Sequence, residues 1–92
     1  MAFGRCKHYL DYTPDAVAIL AVLSKEKNPL LASEIAEKIG IVQLDNTIIM
    51  QLSRRYELIT PTRYYLGRST HTLWAINPKF ATSVMEYLES TD

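Results

Sequence analysis

Apolar residues recur every three or four positions over two adjoining stretches in the middle of the chain. Further on they alternate, one in and one out. The middle stretches, within residues 33–59 (SEIAEKIGIVQLDNTIIMQLSRRYELI), predict two helices joined by a turn. Ile35, Ala36 and Ile39 share one helical face, with Glu34, Glu37 and Lys38 on the other. Gly40 ends the first helix, because glycine accepts the left-handed conformation common at helix C-termini. Asp45 can accept a backbone N–H and so starts the second helix. There Ile49, Leu52 and Tyr56 line one face with Ile48 beside them, and Asn46, Met50, Gln51, Arg54 and Arg55 lie mostly outside it.

The flanks read in the same way. Thr13-Pro14-Asp15 supplies a capping hydroxyl, a proline for the first helical position and an acid for the first turn. The nearly apolar run Ala16 to Leu23 then predicts a deeply buried helix that ends near Lys25–Lys27. Asn28-Pro29 is a breaker, and Leu30-Leu31-Ala32 suits a brief strand. TRYYL and HTLWAI, on either side of Gly67-Arg68-Ser69-Thr70, predict a hairpin. Trp74 shares a strand face with Thr72 and Ile76 and is expected beneath the helices. Asn77-Pro78 opens a last helix with Phe80, Val84, Tyr87 and Leu88 at helical spacing. The prediction is four helices near residues 14–26, 33–39, 46–56 and 78–89, a hairpin at roughly 62–76, and an N-terminal arm over 1–12. The fold class is α+β, mostly α.

Composition narrows the function. The 92 residues make one domain, and a hydrophobic content of 48% supports an ordinary core. No apolar run approaches the roughly 20 residues that span a bilayer. The start, MAFGRCKHYLDY, lacks the apolar centre of a signal peptide, so no membrane and a cytoplasmic location are expected. Cys6 is the single cysteine and reads as a free, incidental thiol. With His8 it forms a C-x-H pair, and His71 is the one further soft donor. Zinc needs three or four ligands, so neither a metal nor a cofactor is expected.

Net charge is zero, which counts against strong nonspecific nucleic-acid binding. The distribution is uneven, however. From Asn46 to Ile76, Arg54, Arg55, Arg63 and Arg68 stand against Glu57 alone; from Phe80 to Asp92 the charges are Glu86, Glu89 and Asp92. Arginine's planar fork suits phosphates and guanine edges.

The order helix, short strand, helix, helix, hairpin, helix, with Ala36-x-x-x-Gly40, Thr47-Ile48 and Leu58-Ile59, resembles the winged helix-turn-helix family of DNA-binding domains. The resemblance covers roughly residues 13–77. It implies a three-helix core, a C-terminal β-hairpin wing and, here, an additional helix over 78–92. In the family the second helix of the motif enters the major groove and the wing touches backbone or minor groove. The groove-facing residues would then be Asn46, Thr47, Met50, Gln51, Arg54 and Arg55, and the wing residues Arg63, Tyr64, Arg68, Ser69 and Thr70. Ile41 to Asp45 makes the turn about two residues longer than is common in the family, and two residues turn a helix by about 200°. The apolar set Ile49, Leu52 and Tyr56 is used to fix the helix phase.

These readings predict a sequence-specific double-stranded DNA-binding protein, a transcriptional regulator, working as a homodimer through the last helix; for that helix the other reading is that its apolar face over residues 80–88 closes the domain's own core. The alternative is a winged-helix interaction module within a larger assembly. An enzyme is not expected, since no phosphate-binding glycine loop, metal-ligand cluster or nucleophile motif occurs.

Overall fold

The computed structural model describes residues 2–90, with side chains from residue 4 onward. The segment expected to be an arm is helical instead: α1 spans Ala2–Asp11. Cys6 and Leu10, one turn apart, are 0% and 1% exposed, so the helix is anchored by its own apolar edge. Tyr9, on the same edge, sets its ring 4.9 Å from that of Tyr56. Cys6 is a buried thiol, and burial pushes its pKa upward, away from reactivity.

Pro14 opens α2 (Pro14–Lys25) at a position where its missing N–H costs nothing. The Thr13 hydroxyl makes no capping bond; its carbonyl instead accepts the Ala16 and Val17 N–H groups at 3.0 and 3.3 Å. Ala16, Ile19, Leu20 and Leu23 enter the core, as the apolar run predicts. After the Asn28-Pro29 break come β1 (Leu30–Leu31) and α3 (Ala32–Ile39). Glu34 Oε1 accepts the Leu31 N–H at 2.9 Å, which satisfies a donor at the helix start. Gly40 closes α3 at φ +93°, with its N–H donating to the Ala36 carbonyl at 2.9 Å.

α4 (Asn46–Met50) starts on Asp45, whose carboxylate accepts the Thr47 N–H at 2.8 Å. It runs on into a π-helical turn over Gln51–Arg55. Ile49 and Leu52 are 3% and 0% exposed and Tyr56 packs on the core, so the phase inferred from the apolar set holds.

β2 (Ile59–Leu66) and β3 (Ser69–Ile76) form the hairpin, three residues longer at its start than expected. The sheet is antiparallel in the order β1-β3-β2, and its register runs from Ile59↔Ile76 to Leu66↔Ser69, with Leu30 opposite Trp74. β2 is an edge strand, so Pro61 can sit opposite Trp74 without breaking a ladder on both sides. Gly67, at φ +60°, and Arg68 make a two-residue turn with positive φ at the first position only, the pattern of a type II′ turn. Trp74 is 8% exposed, beneath the helices as expected.

Asn77 starts a 3₁₀ turn (Pro78–Phe80) that leads into α5 (Ala81–Ser90). Phe80, Val84 and Tyr87 are buried in the domain's own core. The stripe that suggested a dimer element is therefore occupied within the chain, and Met85, 44% exposed, is the large apolar residue that α5 leaves outside. No helix among the described residues is long and apolar enough to cross a membrane.

Tyr87 also donates its hydroxyl to Asp11 Oδ1 at 2.7 Å, tying α5 to the end of α1. Burial first, then the Asp11 carboxylate, pushes the phenol up to about 12. The native state therefore keeps this proton at a pH where an unfolded tyrosine, near pKa 10, has lost it. The resulting stabilisation is complete below about pH 10 and is lost as pH rises towards 12. Urea midpoints measured across that window should fall for the parent and fall less for Tyr87→Phe. Parallel curves would show that Tyr87 does not carry the alkaline limb.

Candidate nucleic-acid interface

The second helix of the central pair is held from behind. Ile49 and Leu52 fix its inner side, which leaves Asn46, Thr47, Met50, Arg54 and Arg55 exposed and Gln51 half-buried. All six candidate residues are thus on or near the surface, as the phase predicts. The helix does not keep α-helical spacing along its length. Tyr56 donates its N–H to the Gln51 carbonyl at 3.0 Å, five residues back, which makes the last turn wide. The Ser53 hydroxyl donates to the Ile49 carbonyl at 2.9 Å, a side-chain competitor for a helix acceptor.

The widened turn ends on Glu57, a non-glycine residue at φ 55°. Such a conformation costs about 1–2 kcal/mol and has to be held by its neighbours. Two bonds hold it. The Leu58 N–H donates to the Leu52 carbonyl at 2.8 Å, and Asn77 Nδ2 donates to the Glu57 carbonyl at 2.7 Å. Asn77 also donates its own N–H to the Leu58 carbonyl at 2.8 Å, and its Oδ1 accepts the Lys79 N–H at 3.1 Å. One asparagine therefore joins the end of the helix to the base of the hairpin and to the start of the last helical segment.

The hairpin divides its candidates between two faces. Strand alternation and register place Arg63 and Thr70 on the face that carries Ile59 and Trp74, the one packed on the helices. Tyr64 and Ser69 fall on the opposite face. There Tyr64 stacks on His71, with ring centroids 5.2 Å apart and an angle of 23° between planes. Arg68 stands at the turn. Arg63, Arg68, Ser69 and Thr70 are exposed and Tyr64 is half-buried, so the five hairpin candidates do not form one surface. Tyr65, 73% exposed, lies on the helix-packed face with Arg63.

The candidate surface draws its positive charge from four arginines. Among the described residues the ion pair found is Lys38–Glu26, at 3.8 Å on another part of the surface. Arg54, Arg55, Arg63 and Arg68 are all exposed and none makes an ion pair with another described residue. The Arg55 guanidinium lies 5.6 Å from the centre of the Tyr56 ring. No group of three or more His, Cys, Asp or Glu among the described residues could hold a metal ion.

The sequence reading missed the basic residues that α1 and the 3₁₀ turn contribute. Arg5 and His8 on α1 share a cleft with Arg55 and Lys79. The Phe3, Cys6, Tyr9 and Leu10 spacing could have revealed α1, and with it this cleft. Comparison of the chain with protein-family models, with curated proteins and with solved structures finds no match in any of the three.

Proposed function

We propose that this chain is a sequence-specific double-stranded DNA-binding protein of winged helix-turn-helix type, acting in the cytoplasm as a transcriptional regulator. The observation that carries the reading is the set of four exposed arginines without ion pairs among the described residues, Arg54, Arg55, Arg63 and Arg68, on one helix and the hairpin that follows it. A surface of unneutralised guanidinium groups presented by a helix suits a polyanion with a groove. In this reading Asn46, Thr47, Met50 and Gln51 meet base edges, while the wing residues Arg63, Tyr64, Arg68, Ser69 and Thr70 hold the backbone. The chain binds rather than catalyses and needs no cofactor. Selection from a random duplex pool, read at two salt concentrations, tests it: a consensus site supports the reading, and no binding at low salt overturns it.

A single module has a small footprint, so the reading includes a homodimer on paired half-sites. With Phe80, Val84 and Tyr87 buried, the contact on the last helix would centre on Met85 and the shallow groove it lines with Leu23 and Ile76. Light scattering at high micromolar protein should give the dimer mass, and a monomer there removes this part of the proposal.

A protein-interaction module is the second reading. Val42, Tyr65 and Leu66, at 102%, 73% and 60% exposure, favour it, because exposed large apolar groups suit a protein partner.

A further inference from the structure

α1, the end of the π-helical turn and the 3₁₀ turn enclose a cleft of about 920 Å³. Arg5, Arg55 and Lys79 line it, with His8 at its side and Glu57 as the one acid. Glu57 does not pair with any of the three cations within ion-pair distance. Two cations lie over aromatic rings of the same wall: Arg55 at 5.6 Å from the Tyr56 centroid and Lys79 at 5.7 Å from that of Phe80. Such contacts hold a cation in place without cancelling its charge.

Three like charges gathered in a concavity repel one another, and a bound anion reverses the sign of that term. Guanidinium forks grip tetrahedral oxyanions bidentately and an ammonium adds a point charge. A carboxylate has too few oxygens and too little charge for three such donors. The volume lies within the about 300–1,000 Å³ typical of small-molecule sites and exceeds a bare phosphate, which leaves room for an organic body beside the phosphate. We propose that this cleft binds a phosphate-bearing ligand of at least two negative charges, held by Arg5, Arg55 and Lys79. The site stands on its own lining residues and does not depend on the DNA-binding reading. Its position has a consequence: the ligand joins α1 to the strained turn at Glu57 that closes the 46–55 helix.

Inorganic pyrophosphate is the probe, titrated into the ¹⁵N-labelled full chain at constant ionic strength. Amide shifts should concentrate at Gly4–His8, Arg55–Glu57 and Lys79–Phe80. Arg5→Gln with Lys79→Gln should weaken binding at least about tenfold. Both side chains are exposed, so the variant keeps its fold; Lys79→Gln alone gives a second, milder measure. A parallel titration with duplex DNA identifies the source of the phosphate. If the double variant loses pyrophosphate but keeps DNA affinity, the ligand is a free phosphorylated small molecule. If both fall together and pyrophosphate displaces DNA, the phosphate is the duplex backbone. Absent shifts at millimolar pyrophosphate, or shifts unchanged in the double variant, overturn the proposal.

Discussion

Ending the chain after Pro78 should unfold the domain. The deleted segment carries Phe80, Val84 and Tyr87, which are 7%, 0% and 5% exposed and pack against the same core as α2. Burial of one such side chain is worth about 1.5–3 kcal/mol, so the three together contribute about 5–9 kcal/mol. A small domain's entire stability is about 0.05–0.15 kcal/mol per residue, which for this length is the same size. The loss also removes the Tyr87–Asp11 hydrogen bond and uncovers Leu23 and Ile76, which line the α5 side of the core. The truncated chain should therefore show no cooperative thermal transition by circular dichroism at 25 °C or above. A well-folded truncated monomer would show instead that α5 is an appendage, and would return it to the role of dimer element.

Sequence patterning reached the parts of this fold where one period runs without interruption. α2 and α3 came from apolar spacing plus Pro14 and Gly40, residues whose backbone requirements are local. Trp74 was placed by alternation alone, and the sheet confirms its face. The failures have separate causes. α1 was hidden because its apolar edge is thin, Cys6 and Leu10 with tyrosine between, and a cysteine carries little weight in a periodicity count. β2 begins at Ile59 because an edge strand tolerates Pro61; the residues marked an extended element from Leu58-Ile59 and an edge or irregular segment at Pro61, but not whether the ladder runs through it. The stripe on α5 was legible, but an apolar face does not say whether its own chain or another covers it.

The site was legible to the level of exposure and no further. The phase set by Ile49, Leu52 and Tyr56 put Arg54 and Arg55 outside, where the structure has them. The wide turn over Gln51–Arg55 could not be read, since it is set by Ser53 bonding backward and by Glu57 held in a left-handed conformation from Asn77, 20 residues away. Nor could the split of Tyr64 and Arg63 between opposite faces of the hairpin be used, because which face meets the helices depends on register.

The largest functional effect belongs to the arginines, whose roles should separate. A phosphate contact releases counterions, so its loss weakens every sequence alike and flattens the log–log salt slope by about 0.9 per contact. A base contact costs about 1–3 kcal/mol at one position of the site and leaves the others unchanged. Arg63→Ala and Arg68→Ala should show the phosphate signature, because both stand on the hairpin away from the helix start. At least one of Gln51→Ala, Arg54→Ala and Arg55→Ala should relax specificity at a single base pair. Gln51 is the stronger candidate for a base. Arg55, at the end of the wide turn and over the Tyr56 ring, is the stronger candidate for a phosphate. All four arginines are exposed, so replacing them together should abolish DNA binding while the thermal transition stays within a few degrees of the parent. That variant also takes Arg55 from the cleft, so the cleft is tested through Arg5 and Lys79, which lie outside the quadruple set. If the quadruple variant binds duplex DNA as tightly as the parent at every salt concentration, these arginines are a solvated surface and the chain's function lies with a protein partner.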